Sequence, residues 1–163
     1  MISLVMEEVA VSKGIYKSVE EDEEFRKCIA FIFEREGGYV NHPKDKGGET
    51  KYGISKRAFP HLDIKTLTKK NAEIIYFKHY WLYDAYQLEW PLNLVHFDAN
   101  INHGTKQASR FLDACKEDWK KYIELRREFY LKIVERNPKQ EVFLKGWFNR
   151  LNELKKFIEE QNS

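Results

Sequence analysis

The chain has 163 residues, of which 42% are hydrophobic and 15% aromatic, enough to bury one sizeable hydrophobic core. Twenty-eight basic and 26 acidic residues leave a net charge of +2, and no basic run alternates with aromatics, so a nucleic-acid-binding protein is not indicated. Two cysteines, Cys28 and Cys115, are too few for a disulfide framework, and no segment approaches the roughly 20 apolar residues of a membrane span.

The N-terminal residues 1–18 are predicted to be an arm that precedes a single domain over 19–163. The arm begins with the short apolar run Met1–Met6, which Glu7 and Glu8 follow. A secretory signal needs a basic n-region before its apolar stretch, and this segment has none. We therefore expect a protein that is made in the cytoplasm without a recognisable signal peptide.

The first predicted helix contains apolar residues at steps of three and four, the spacing of one buried stripe. These residues are Phe25, Cys28, Ile29, Ile32 and Phe33. Glu36 follows Phe25 by eleven residues, about three helical turns, and so falls on the same stripe. A carboxyl against apolar surface has a raised pKa and can keep a proton to donate, which makes Glu36 a candidate general acid. Alternatively, Glu36 only marks the end of the helix and turns outward.

A glycine-rich segment follows this helix. Gly37-Gly38 can end the helix in a left-handed conformation, and Gly47-Gly48 can form a second tight turn. The short stretches 39–40 and 50–52 have the composition of strands that flank this turn. We therefore predict one small β-hairpin directly after the helix.

The hairpin would bring Asp45 and Thr50 back toward Glu36. A carboxylic acid, a carboxylate and a hydroxyl suit hydrolysis of a glycosidic bond by a water held opposite the acid. Tyr39 and Tyr52 could line such a cleft by stacking on sugar faces. The alternative for Asp45 is a surface loop in which its side chain caps a turn through the local backbone.

Two helices are predicted in the middle of the chain. Thr68 is a suitable N-cap for a helix that continues through an aromatic stretch to Tyr86. Pro91 can start the next helix, in which Asp98 and Asn102 are four residues apart and share a face. These two polar residues either lie near a cleft or are buried for structural reasons.

Two further amphipathic helices complete the chain, separated by Asn137-Pro138. The stripe of the first comprises Trp119, Tyr122, Ile123, Arg126, Phe129, Tyr130 and Ile133, and that of the second Phe143, Leu144, Trp147, Leu151, Leu154 and Ile158. Trp147 can be read as a core residue or as a sugar platform. Arg150 can pair with a buried acid or touch a ligand.

Three motifs in one order resemble the glycoside hydrolase family 108 muramidases. They are Glu36-Gly37-Gly38-Tyr39 with Asp45, Gly47-Gly48, Thr50 and Tyr52-Gly53-Ile54; Phe97-Asp98-Ala99-Asn100-Ile101-Asn102-His103-Gly104; and Gly146-Trp147-Phe148-Asn149-Arg150. The eight residues between Glu36 and Asp45 also resemble the spacing in phage-type lysozymes.

The resemblance implies a mainly α, lysozyme-like single domain with one small β-hairpin next to the catalytic helix. It implies cleavage of the β-1,4 bond between N-acetylmuramic acid and N-acetylglucosamine, as in an endolysin, by the catalytic residues Glu36, Asp45 and Thr50. Substrate-binding residues would be Tyr39, Tyr52, Asp98 and Asn102. No cofactor or metal is implied. The expected partners are the glycan strands of peptidoglycan, on which the protein would act as a monomer.

The resemblance leaves two rival functions and one departure. A lytic transglycosylase would need no second carboxylate, and a non-catalytic wall-binding component would need no acid. Many relatives carry a peptidoglycan-binding insert after the second motif, whose turn residues are missing from Arg110–Trp119. We therefore do not expect a separate wall-binding module. A wall target would require delivery by a holin, by dedicated export or in a virion.

Overall fold

Residues 18–35, 38–41 and 48–163 are described by a computed structural model, in which the chain forms two compact units, residues 1–86 and 87–163. The described residues are mainly helical with one small antiparallel sheet, which confirms the predicted fold class. The arm predicted over residues 1–18 lies, except for Ser18, outside the described residues, and the domain limits stay a prediction.

Helix α1 spans Glu23–Arg35. Its N-terminus is capped by the side chain of Asp22. Its Oδ1 accepts a hydrogen bond from Phe25 N at 3.0 Å, and its Oδ2 accepts one from Trp81 Nε1 at 3.1 Å. A carboxylate at this position also complements the helix dipole. The predicted stripe is confirmed, because four of its five members, Phe25, Cys28, Ile29 and Ile32, are buried.

The sheet has three strands, β1 (Val40–Asn41), β2 (Glu49–Lys51) and β3 (Ile54–Ser55), with β2 in the middle. The prediction of a single hairpin, with its second strand extending through Tyr52, is therefore incomplete. Tyr52 and Gly53 instead form a two-residue turn between Lys51 and Ile54, and both have positive φ, +53° and +78°.

Helix α2 spans Lys69–Tyr76, and the predicted N-cap is confirmed because Thr68 Oγ1 accepts a hydrogen bond from Asn71 N at 3.1 Å. The helix does not run to Tyr86 as predicted. It continues as a π-helical turn over Phe77–Trp81, closed by Leu82 N donating to Phe77 O at 2.8 Å. A short 3-10 helix, Ala85–Gln87, follows after a break.

The second unit consists of four α-helices: α3 (Leu92–His103), α4 (Thr105–Cys115), α5 (Trp119–Arg136) and α6 (Glu141–Gln161). A short 3-10 helix, Pro138–Gln140, separates the last two. Helix α3 is central, since residues 93–100 are all buried. Gly104 joins α3 to α4 with φ +82° and ψ +153°, a backbone conformation that other residues rarely adopt.

The apolar stripe of α6 is buried only over its second half. Leu151, Leu154 and Ile158 are buried, whereas Phe143 is 50% exposed. The prediction that Phe143 belongs to the buried stripe is therefore wrong. The periodicity locates a side chain on one face of a helix, but it cannot show where the neighbouring helix stops covering that face.

None of the described helices combines the length and the apolar character needed to span a membrane. Both cysteines are buried free thiols. Burial raises the pKa of Cys28 well above its ordinary value, as expected for a structural thiol rather than a nucleophile.

Candidate active site

The predicted acid lies directly after the last residue of α1 in the sequence. Glu36 and Asp45 both lie outside the described residues. Thr50, the third predicted catalytic residue, is described and half-buried. The described part of the candidate site consists of residues that precede and follow Glu36 in the chain.

The last turn of α1 is fixed by contacts of its side chains. The Arg35 guanidinium lies 3.7 Å from the centre of the Phe31 ring and donates to Phe31 O at 3.0 Å. On another face, the Phe33 ring meets the rings of Tyr52 and Tyr76 edge-on, with both centroid distances at 5.9 Å. The helix therefore reaches position 35 with a set orientation.

Tyr52 connects the end of α1 to the turn between β2 and β3. Its positive φ is unfavourable for a residue with a Cβ. The conformation is held by Tyr76, whose hydroxyl donates to Tyr52 O at 2.7 Å, and by the contact of the Tyr52 ring with Phe33. Strained backbone of this kind is often found next to functional sites.

Tyr39 and Thr50 lie on the sheet side of the same unit. Tyr39 is 39% exposed, and its hydroxyl donates to Glu49 Oε2 at 2.7 Å. This hydrogen bond raises the pKa of Tyr39. Thr50 sits in the middle strand, where it pairs with Val40 on one side and Ser55 on the other. Tyr39 is therefore held by a hydrogen bond of its side chain, and Thr50 by the pairing of its strand.

A cavity of about 320 Å³ lies between α1 and α2, and the sequence reasoning missed it. It is lined by Arg26, Ile29, Ala30, Phe33, Glu34, Lys69 and Glu73. Arg26 donates to both oxygens of Glu73 at 2.6 and 3.1 Å, which closes one side with a bidentate ion pair. The spacing of its α1 members marks a helical face, but only the position of α2 turns that face into a cavity.

Asp98 does not present a carboxylate to a ligand. It is fully buried, and Arg126 Nη2 donates to its Oδ2 at 2.7 Å while Arg150 Nη2 donates to its Oδ1 at 2.8 Å. Burial raises the pKa of Asp98, but the charges of Arg150 and Arg126 outweigh this and lower the pKa to about 2. Its predicted substrate-binding role is therefore corrected to the structural alternative, and Arg150 does pair with a buried acid.

Asn102 and His103 lie beside this cluster. Asn102 is exposed, and its Nδ2 donates to the backbone oxygen of Asp98 at 2.9 Å. His103 accepts a hydrogen bond from Arg126 Nε at its Nε2, 3.0 Å away, so the ring is neutral with its proton on Nδ1. Burial and the charge of Arg126 lower the pKa of His103 to about 3. No local pattern in the sequence indicates this pairing.

Within residues 18–35, 38–41 and 48–163, no three histidine, cysteine, aspartate or glutamate side chains come together as potential metal ligands.

Comparison with known proteins gives two family matches. Residues 29–104 match the model described as "Glycosyl hydrolase 108", and residues 91–152 match the model described as "Predicted Peptidoglycan domain". Among solved structures, the chain is similar to "Structure of Brucella abortus SagA", with 26% identity and a TM-score of 0.68 over 82% of this chain and 92% of that chain. No curated protein matches the chain significantly.

The helical fold with its small sheet and these matches define a lysozyme-like glycoside hydrolase that acts on peptidoglycan. More particularly, residues 29–104 are similar to the glycosyl hydrolase 108 family, which confirms the resemblance of the motifs.

The second match overturns the expectation that no wall-binding module is present. That expectation depended on the missing turn residues of an insert between Arg110 and Trp119. The matched segment instead extends from Pro91 to Asn152 and contains α3, α4, α5 and the first half of α6. The module is helical, so missing turn residues were not informative.

Proposed function

We propose that the protein is an N-acetylmuramidase that hydrolyses the β-1,4 bond between N-acetylmuramic acid and N-acetylglucosamine, with Glu36 as the general acid. The observation that supports this most is the buried stripe of α1, which belongs to the helix that ends one residue before Glu36. Phe33, three residues before Glu36, is half-buried against Tyr52 and Tyr76. An acid beside such apolar surface keeps its proton at neutral pH.

In the proposed mechanism, Glu36 protonates the leaving glycosidic oxygen. Asp45, with Thr50, positions and activates a water on the opposite face of the sugar. This is an inverting hydrolysis, which requires carboxyl groups roughly 6.5–9.5 Å apart. Tyr39 and Tyr52 stack on sugar faces in the cleft, and Asn102 remains a proposed substrate contact.

The test is mass spectrometry of the fragments released from purified peptidoglycan by the native protein and by Glu36→Gln. Glu23→Gln is the matched control, because it makes the same chemical change on an exposed side chain in the first turn of the same helix, and Glu23 does not line the cavity between α1 and α2. We expect reducing N-acetylmuramic acid ends from the native protein and the control, and a loss of at least about 100-fold in Glu36→Gln, the lower range for a general acid.

Other products would point to other functions. Anhydro ends would establish a lytic transglycosylase, in which Asp45→Asn would retain activity. Reducing N-acetylglucosamine ends would show that the neighbouring bond is cut. Binding without any cleavage by the native protein would leave a non-catalytic wall component. If Glu23→Gln lost as much activity as Glu36→Gln, the assignment of the acid would be wrong.

A further inference from the structure

The first half of α6 carries an aromatic face that the second unit leaves partly open. Along one stripe, exposure increases toward the N-terminal end of the helix: Leu151 is buried, Trp147 is half-buried and Phe143 is 50% exposed. Val142, the neighbour of Phe143, is 76% exposed. Large apolar side chains that emerge together at a surface mark an interaction site more often than isolated ones do.

The rings of this face are stacked. Tyr130 of α5 and Trp147 have centroids 4.6 Å apart and planes 16° apart, and Trp147 and Phe143 have centroids 5.8 Å apart and planes 30° apart. We call Tyr130, Trp147 and Phe143 the ring stack. It begins at the buried Tyr130 and ends at the exposed Phe143. Trp147 therefore packs on a buried ring, and Phe143 packs on Trp147.

The inner end of the ring stack packs on His103, which lies beside the buried ion pairs of Asp98. The His103 ring lies 4.9 Å from the Tyr130 ring with an angle of 32°, and Arg126 donates to His103. Because these inner groups are fixed by hydrogen bonds and burial, the outer rings hold their positions before any ligand arrives. Such preorganisation reduces the entropy lost on binding.

The segment of chain between Tyr130 and Trp147 carries an excess of positive charge. Between residues 131 and 146, the exposed basic residues outnumber the acidic ones by four to two. They are Lys132, Arg136, Lys139 and Lys145, against Glu135 and Glu141. The stem peptides of peptidoglycan carry carboxylates, so this charge complements it.

We propose that the ring stack binds the glycan strand of peptidoglycan and retains the enzyme on its substrate. The C–H faces of N-acetylated sugars pack on the exposed parts of Phe143 and Trp147, whose π-faces are electron-rich. The exposed basic residues between Tyr130 and Trp147 attract the carboxylates of the stem peptides. The ring stack lies within the segment that matches the peptidoglycan domain. The inference rests on the proposed function only in taking peptidoglycan as the substrate.

The experiment measures binding in the Glu36→Gln background, so that cleavage does not remove the ligand. Co-sedimentation with insoluble purified peptidoglycan is compared for this protein and for the same protein with Phe143→Ala or Phe148→Ala added. Phe148 is the matched control, because it lies on the same helix under the guanidinium of Arg127, at 5.0 Å. We expect Phe143→Ala to raise the Kd roughly fivefold or more and Phe148→Ala to leave it within about twofold.

A second variant, Trp147→Phe, replaces the indole in the middle of the ring stack by a smaller phenyl ring. If this phenyl ring still supports Phe143, binding should weaken less than in Phe143→Ala. Circular dichroism of all variants separates lost binding from lost folding. Unchanged binding by folded Phe143→Ala would overturn the inference. So would a protein that self-associates through this face, with dimers that Phe143→Ala dissolves while peptidoglycan binding stays the same.

This result is independent of the cleavage test. If the native protein releases no fragments but Phe143→Ala still weakens binding of the Glu36→Gln protein, the proposed muramidase fails and the binding face stands. If fragments appear and Phe143→Ala binds normally, the reverse holds.

Discussion

Asp98 holds one negative charge between two guanidinium groups in the interior of the second unit. Its side chain and that of Arg126 are fully buried, and Arg150 is 17% exposed. Removing one member of such a group leaves uncompensated buried charge, which is usually more costly than the ion pair was stabilising.

We expect Asp98→Asn to lower the free energy of unfolding by about 3 kcal/mol or more, because it removes the negative charge that two guanidinium groups share while conserving the side-chain volume. Urea unfolding followed by circular dichroism measures this loss. Asp113→Asn on α4 makes the same change on an exposed side chain and should cost less than about 0.5 kcal/mol. Equal losses in both variants would show that the two arginines do not anchor Asp98.

His103, which lies beside Asp98, makes the free energy of unfolding depend on pH. Its pKa is lowered from 6.5 to about 3 in the folded protein, so below pH 6.5 the unfolded chain binds a proton that the folded chain does not. Stability should therefore fall as pH falls from about 6.5 toward 3, by up to about 2 kcal/mol between pH 6.5 and 5. The stabilising effect of Asp98, whose folded pKa is about 2, is lost only below about pH 3.8.

His103→Gln is the variant that isolates this effect, because its amide oxygen can still accept from Arg126 but does not titrate in this range. We expect urea midpoints of the native protein to decrease from pH 7.5 to pH 5 and those of His103→Gln to decrease less. Parallel curves for the two proteins would mean that another group causes the dependence.

At the scale of elements, the connection between α3 and α4 depends on one glycine. Gly104 has φ +82° and ψ +153°, and a Cβ at this position would meet no atom within 4 Å. Any cost of Gly104→Ala is therefore conformational, and we expect about 1–3 kcal/mol of destabilisation.

Gly146 offers a control of opposite sign. It lies inside α6 without a positive φ, and the space that an added methyl group would occupy is open here too. Alanine there should stabilise the helix by about 0.5–1 kcal/mol. Thermal unfolding of the two variants should therefore shift in opposite directions, and a stabilising Gly104→Ala would contradict the backbone argument.

The elements also show what the sequence could and could not predict. The buried face of α1 and the cap at Thr68 follow from local spacing and hydrogen-bonding chemistry, and both are confirmed. The end of α2 was missed because its aromatic pattern continues through the π-helical turn. Asp98 was ambiguous because its two arginine partners lie 28 and 52 residues away, and helical periodicity does not report such distances.

At the candidate site, the motif predicts residues on both sides of the glycine-rich segment. Glu36 and Asp45 rest on motif and spacing, since neither is among the described residues. The contacts of Phe33 with Tyr52 and Tyr76, by contrast, bring together residues that are distant in sequence, and no local signal could have paired them.

At the scale of the whole molecule, each compact unit contains one buried free cysteine, Cys28 in the first and Cys115 in the second. Burial raises the pKa of both thiols, so the reactive thiolate form is scarce as well as inaccessible. The two thiols can therefore report separately on the opening of each unit.

Each thiol is tested in a variant that lacks the other one: Cys28 in Cys115→Ala, and Cys115 in Cys28→Ala. We expect neither thiol to react with a thiol reagent in native buffer. Both should react after unfolding in urea. Ser163→Cys in a cysteine-free background gives the rate of an exposed thiol. A rate near this reference for either native thiol would show that its unit opens readily and would contradict its close packing.

The net charge is also unevenly shared between the units. Residues 1–86 contain fourteen basic and fourteen acidic residues, whereas residues 87–163 contain fourteen basic and twelve acidic ones, so the entire excess of +2 belongs to the second unit. This is the unit that contains the match to the peptidoglycan domain, and its charge is of the sign that an anionic wall attracts.

The cluster around Asp98 joins three helices, since Asp98 lies on α3, Arg126 on α5 and Arg150 on α6. Such an arrangement constrains how the sequence can drift over generations. A neutral residue at position 98 would leave two guanidinium groups without their shared carboxylate, and neutral residues at 126 and 150 would leave a buried carboxylate without its cations. Among related sequences, these three positions should therefore change together or not at all, although they are widely separated in the chain.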